Sequence, residues 1–309
     1  MRGLALAAAL ALPLVAALEL VGEARIALSP PDDAAWSAVA GEVRSLARGG
    51  ALVVTSPRWA EPHLRQRLGD DVMPLAHLAR GDVDRFERAV EVGLDGRSSD
   101  ELAGYRVVDE RRVGPFVVRR LDNPRPDPVR FDLVEALRPP HATVAGTDPE
   151  ARCFWSVRSP VVSGGLGGHP TLPRQRFDCP GPVWMDVGVT VIADERFRPR
   201  RCIWAHPFGR GDKILRWDEV PLAGARRVVG HHGMYWVVER DRLGADVEIE
   251  VRVDGVSIGT TVHHDGDGWA PFTFDLPPRA EASPTGTIEI AIRTADAERR
   301  HLCLEATVR

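Results

Sequence analysis

The strongest constraint on the fold lies in the C-terminal half, where apolar side chains recur at every second position. Val247, Ile249, Val251 and Val253 alternate with Glu248, Glu250 and Arg252, and Ile288, Ile290 and Ile292 alternate with Glu289 and Arg293. A period of two sends successive side chains to opposite faces of an extended chain, so these runs are strands with one buried and one wet face. Val187, Val189 and Val191 repeat the pattern, as do Phe272, Phe274 and Leu276. Asp254-Gly255, Asp265-Gly266-Asp267-Gly268, Pro277-Pro278 and Pro284-Thr285-Gly286 separate the runs with turn-forming residues. Short strands with Gly/Pro turns between them predict an antiparallel β-sandwich, a jelly roll, over 151–309.

The preceding segment reads differently. Asp32 or Asp33, after Pro30-Pro31, is placed to cap a helix on which Trp36, Val39, Ala40, Val43, Leu46 and Ala47 share one face, up to Gly49-Gly50. Ala51–Thr55 is a continuous apolar run, the mark of a strand buried on both faces. A helix over Glu61–Leu68, short strands over Val72–Leu75 and Arg88–Leu94, and a hairpin about Gly114-Pro115 follow. This rhythm predicts a small open α/β (Rossmann-like) domain over 30–123. Its ligand edge would hold Ser56–Trp59, which makes Arg58 and Trp59 binding candidates. Six prolines over 124–150 predict a stiff linker with one short helical stretch near Leu133–Leu137. The fold class is therefore α+β, in two domains.

The N-terminus bears on the compartment. Arg2 precedes an apolar run from Leu4 to Leu18, the length of a signal-peptide core and short for a spanning helix. Residues 1–24 are expected to be a signal peptide, cleaved after small residues near Ala17 or Ala24, or a retained anchor tethering the chain to a membrane. Either outcome places the rest outside the cytoplasm, in the periplasm or secreted. Four cysteines, Cys153, Cys179, Cys202 and Cys303, contain no C-x-x-C pair and suit disulfides in an oxidising compartment. Of the three possible pairings, Cys153–Cys179 would close a Gly/Pro-rich loop and Cys202–Cys303 would tie the start of the sandwich to its last strand. With 40 Lys and Arg against 44 Asp and Glu, a net charge of −4 and no basic tract, nucleic acid is excluded as a partner class.

Few residues suggest chemistry, and none is assigned a catalytic role. His231 and His232 are adjacent on a strand, so they point to opposite faces, and neither joins a three-ligand zinc set visible in the sequence. Asp265 and Asp267 open like a calcium loop, but Trp269 and Ala270 stand where further ligands would be needed. A structural calcium there is the only cofactor considered. Ser163–Gly168 lacks the helix a phosphate loop needs, since His169-Pro170 follows. No Gly-x-Ser-x-Gly elbow occurs. Trp184, Trp204, Trp217, Tyr235, Trp236 and Trp269 concentrate in the sandwich, where flat apolar rings suit stacking on sugars. Trp269, beside a polar turn, is the first ligand-binding candidate, with His231, His232, Tyr235, Arg240 and Asp241 as polar neighbours.

Two resemblances extend this reading. His231-His232-Gly233-Met234-Tyr235-Trp236, Val247–Val253, Asp254-Gly255, Gly268-Trp269-Ala270-Pro271-Phe272 and Leu302-Cys303-Leu304-Glu305 run in an order similar to galactose-binding-type jelly rolls. That superfamily includes carbohydrate-binding modules and pure scaffolds. Val53–Trp59, Leu68-Gly69-Asp70 and Met73-Pro74-Leu75 resemble uncharacterised extracytoplasmic domains that accompany membrane glycosyltransferases of the lipid-linked-sugar type. That likeness covers roughly 34–123 and brings no catalytic residue with it. Together they imply an exported, non-catalytic accessory protein of the cell envelope that recognises glycan. Two rival readings stand. One is an enzyme on envelope polysaccharide, using paired carboxylates such as Asp218 with Glu219 or Glu239 with Asp241. The other is a protein-interaction scaffold.

Overall fold

The structure, a computed structural model, describes residues 13–22, 30–163, 170–278 and 284–309. Residues 13–22 form an exposed helix, and among the described residues no helix is long and apolar enough to cross a membrane. The rest of the expected export segment, and the glycine run after Ser163, lie outside the described residues. The chain divides into a first unit, Met1–Val72 with Arg88–Asp122, and a second, Met73–Glu87 with Asn123–Arg309.

In the first unit, Asp32 accepts the Ala35 N–H at 2.8 Å and caps the helix Asp33–Leu46, which buries Trp36, Val39, Ala40 and Val43. The Trp36 ring packs 4.6 Å from that of Phe116. Glu61–Leu68 is helical and stops at Gly69, as its sequence indicates. Four strands, β1 (Leu52–Ser56), β2 (Arg88–Leu94), β3 (Arg106–Val113) and β4 (Phe116–Asp122), form one sheet in the order β1-β2-β4-β3. Only β1 and β2 are parallel. The sheet is therefore mixed, with the expected hairpin present, and the Rossmann-like arrangement expected of this domain is not shown. The apolar runs of β1 and β2 signal burial on both faces, which parallel and mixed sheets share; β1 is buried throughout although it lies at the sheet's edge. The hairpin at Gly114, whose φ of 57° glycine adopts freely, then returns β4 antiparallel beside β2. The strand expected over Val72–Leu75 is absent; Pro74 instead precedes a four-residue helix, Leu75–Leu78, in the second unit.

The second unit is a β-sandwich. Its strands are β5 (Phe131–Asp132), β6 (Ala142–Gly146), β7 (Phe154–Ser156), β8 (Arg176–Asp178), β9 (Gly188–Ala193), β10 (Pro199–Trp204), β11 (Lys213–Pro221), β12 (Arg227–Met234), β13 (Val247–Val253), β14 (Val256–His263), β15 (Ala270–Asp275), β16 (Thr285–Thr294) and β17 (Leu302–Val308). A six-stranded sheet runs β15-β12-β17-β10-β9 with β5 beside β17, and a five-stranded sheet runs β14-β13-β16-β11-β6. The alternating residues read from the sequence fill the space between them: Val247, Ile249, Val251, Ile288, Ile290 and Ile292 meet Leu302, Leu304, Ala306 and Val308. Trp217 is fully buried there, its indole N–H donating to the Leu133 carbonyl at 3.1 Å.

Residues 124–150, expected as a linker, belong to the sandwich. β6 pairs with β11, β5 pairs with β17, and Leu133, Val134 and Leu137 lie in the core. The prolines punctuate an irregular path without preventing its burial. Leu133–Leu137 forms turns, not a helix. Both disulfides take the favoured pairing: Cys153–Cys179, and Cys202–Cys303 between β10 and β17. The second sits in a smaller cluster with Leu172, Ile192 and Trp204.

Met73–Glu87 runs across the side of the six-stranded sheet that faces away from the core. The Ala79 carbonyl accepts the Arg201 N–H at 2.8 Å, the Arg80 carbonyl accepts from Arg200 Nη1 at 2.8 Å, and Arg85 pairs with Asp132 at 3.2 Å. Asp82 pairs with Arg309. Covered on both sides, β17 is buried at every position, including Glu305 and Thr307.

Candidate functional site

The five-stranded sheet keeps its outward face in water. Strand register builds the site: Glu248 on β13 lies opposite Val262 on β14 and Arg293 on β16, in one row across three strands. Asp212 immediately precedes β11 and Asp246 precedes β13, so both reach the end of that row. Together with Gly211, Thr294 and Ala295 they wall an open cleft of about 550 Å³. Arg293 is its hub, with Nη1 3.1 Å from Glu248 and Nη2 3.4 Å from Asp212, and a further pairing to Glu250. Hydrogen bonds from Arg252, Ser257 and Arg293 outweigh burial and hold the Glu250 carboxyl near 2, so it is ionised at neutral pH. Asp246 pairs with His264 at 2.8 Å, and that hydrogen bond raises the imidazole pKa. The wall thus offers carboxylate acceptors and guanidinium donors, with Val262 the one large apolar side chain.

The residues singled out from sequence lie elsewhere. His232 faces the core with Met234, as strand parity requires, and is buried. With Glu239 as a carboxylate accepting the Gly266 and Gly268 N–H groups at 2.9 and 2.7 Å, His263 Nε2–H donates to Glu239 at 2.9 Å. His232 Nδ1–H then donates to His263 Nδ1 at 3.0 Å, and the Thr261 hydroxyl donates to His232 Nε2 at 3.1 Å. Burial pushes His232 down to about 3, which keeps it neutral and lets the chain close. Each polar side-chain atom of His232, His263 and Glu239 has a hydrogen-bond partner within this relay.

His231 points the other way, under Met73–Glu87, and hydrogen-bonds Glu305 through Nδ1 at 2.6 Å. Trp269 is not at an open rim: it stacks on His231 with 6.1 Å between centroids and 5° between planes, and Arg200 lies 5.5 Å from its ring. Tyr235 is half-buried beside Trp236. Arg240 lies over Phe197 and Trp236 and donates to the Glu195 carbonyl, while Asp241 pairs with Arg299. In the first unit Arg58 pairs with Glu101 at 2.9 Å, and Trp59 is exposed with an edge contact to His63.

Asp265 and Asp267, the expected calcium ligands, are engaged within the protein. Arg300 and the Gly244 N–H take both of its oxygens, and Asp267 accepts the His264 N–H. Those hydrogen bonds and the Arg300 charge outweigh burial and lower the Asp265 pKa. Of the carboxylates named for an envelope enzyme, Asp218 pairs with Arg216, Asp241 with Arg299, Glu239 lies inside the relay, and Glu219 is exposed. Trp204 and Trp217 are core, and Trp184, 41% exposed, is the most exposed Trp of the sandwich. The cleft residues were legible only as the wet half of an alternation. Nothing in the sequence distinguishes Glu248 and Arg293 from any other outward pair.

The chain matches no protein-family model and no curated protein. Among solved structures it is similar to the CBM51-2 and INT domains of Clostridium perfringens ZmpB, at 13% identity and a TM-score of 0.28, covering 39% of this chain and 26% of that one. It is also similar to the CBM51 of C. perfringens GH95, solved in complex with methyl-galactose, at 9% identity and a TM-score of 0.29, covering 40% and 81%. A third neighbour is the CBM35 of Paenibacillus barcinonensis, at 8% identity and a TM-score of 0.24, covering 54% and 98%. The likeness of 34–123 to domains that accompany membrane glycosyltransferases has no counterpart among these neighbours.

Proposed function

We propose that this is an exported, non-catalytic glycan-binding protein whose sandwich, a galactose-binding-like jelly roll, takes its ligand in the cleft over β14, β13, β16 and β11. One observation carries the reading: an open cleft of about 550 Å³ walled by Asp212, Asp246, Glu248 and Arg293. Its size falls in the range of roughly 300–1,000 Å³ typical of small-ligand sites. A sugar presents hydroxyl groups that both donate and accept. Carboxylates beside a guanidinium supply the complementary acceptors and donors, and charged partners make the stronger hydrogen bonds. Recognition here is by hydrogen bonding along one edge, not by the Trp stacking expected from composition. The two disulfides and the N-terminal apolar run support work outside the cytoplasm.

The test is a glycan array probed with the full chain, followed by calorimetric titration of any hit. Arg293→Ala and Glu248→Ala should each weaken binding about tenfold or more, as losing a hydrogen bond to a charged group does. Trp269→Ala should leave affinity unchanged. Binding to no glycan, or binding lost only in Trp269→Ala, would end this reading.

A further inference from the structure

A second group of side chains converges away from the cleft, and its reading does not depend on glycan binding. We propose that Asp82, His231 and Glu305 bind a divalent transition-metal ion that fastens Met73–Glu87 to the sandwich. Register supplies two of the ligands: His231 on β12 stands directly opposite Glu305 on β17, with both side chains on the face away from the core. The covering segment brings the third. One donor atom from each residue lies within 4.8 Å of the other two. Donors around a tetrahedral ion with bonds of about 2.1 Å sit about 3.4 Å apart, so side-chain torsions alone can close the set. One imidazole nitrogen and two carboxylate oxygens suit zinc or manganese.

The surroundings fit a metal site in four respects. Gly81 lets the segment come this close: a Cβ there would run into Glu305 Oε1 and lie 2.8 Å from His231 Nδ1. Arg309 donates to both Asp82 oxygens, the Arg85 N–H reaches Oδ1 at 3.3 Å, and Arg309 is shared with Asp127; a metal would use the remaining lone pairs of a carboxylate so oriented. Trp269, parallel to the imidazole, fixes its plane. A recess of about 30 Å³ beside Gly81 and Glu305, lined also by Arg80, Arg85 and Arg201, has room for a water to complete the coordination. His231 Nδ1 and Glu305 Oε1 are hydrogen-bonded at 2.6 Å, so the two side chains are already turned toward each other.

The His231–Glu305 hydrogen bond and the Arg309–Asp82 pair would fasten the segment without any metal, and the experiment separates the two. The full chain is stripped with chelator and titrated with Zn²⁺ and, in a second arm, Mn²⁺, following heat and melting temperature. The expected result is one saturable equivalent of at least one ion with a raised melting temperature. His231→Ala and Glu305→Gln should weaken binding by about a hundredfold, a loss at the upper end of what supporting residues alone produce. His264→Ala, which removes the exposed His–Asp246 pair, should leave binding intact. No saturable equivalent of either ion, binding undiminished in folded His231→Ala, or binding lost in His264→Ala overturns the proposal. If His231→Ala does not fold, Asp82→Asn takes its place: the same loss is expected, and undiminished binding overturns the proposal.

Discussion

The two outward faces of the sandwich began from the same sequence rule and ended differently. On β13 each second residue is buried and its neighbours meet water, so Glu248, Glu250 and Arg252 form a wet ladder. On β17 the same alternation of Leu302, Leu304, Ala306 and Val308 faces the core, yet Glu305 and Thr307 between them are buried too. The difference is Met73–Glu87, which lies across one face and not the other. A polar residue on an uncovered face stays available to ligands. One under a covering segment must be paired within the protein, because an unpaired buried charge is costly.

The sharpest way to break this contrast is to remove a cation from the covered face. Arg309→Ala strands Asp82, while Asp127 keeps its pair to Arg227, and should lower unfolding free energy in urea by about 3–5 kcal/mol. If the variant is as stable as the parent, the covering segment is not held as described. Next comes the Cys202–Cys303 bond beneath the same face; replacing both by serine should cost about 2–5 kcal/mol by the same assay.

Acid sharpens the comparison at a smaller scale. Burial depresses His206, packed beside Trp204, from 6.5 to about 3. The unfolded chain therefore takes up the proton first as pH falls, and the stabilisation present above pH 6.5 is lost toward pH 3. The slope should be about 1.4 kcal/mol per pH unit for this one group. On the wet face Glu250 titrates from 4.5 to about 2, so its contribution is lost only below pH 4.5. Urea unfolding at pH 7, 6 and 5 should show a decline that His206→Gln reduces by about half, the remainder coming from His232, which burial also holds at about 3; an unchanged slope would place the linkage elsewhere. The smallest expected effect on stability is Arg293→Ala, within about 1 kcal/mol because its ion pairs are partly exposed. A larger loss would mean that the cleft is built for stability instead of binding.

Local chemistry was readable where one interaction decides a residue's fate. The Asp32 cap, the Gly69 stop, the β13 and β16 alternation and both disulfides all follow from nearest neighbours or from pairing among four cysteines. What the sequence hid depends on contacts far along the chain. Nothing local shows that Gly81 passes over Glu305, that Asp127 in a proline-rich stretch meets Arg227 and Arg309, or that Trp269 stacks on His231. The proposed binding cleft was the least legible: aromatic residues drew attention because sugars stack on them, while the cleft is made of charged residues that elsewhere only keep a strand soluble.

The most direct measurement is an amide chemical-shift map of the full chain titrated with the best-binding glycan. The account predicts that shifts gather at Asp212, Asp246, Glu248, Val262 and Arg293, with His231, Trp269 and Glu305 unmoved. Shifts centred on Trp269 and His231, with the cleft silent, would contradict it.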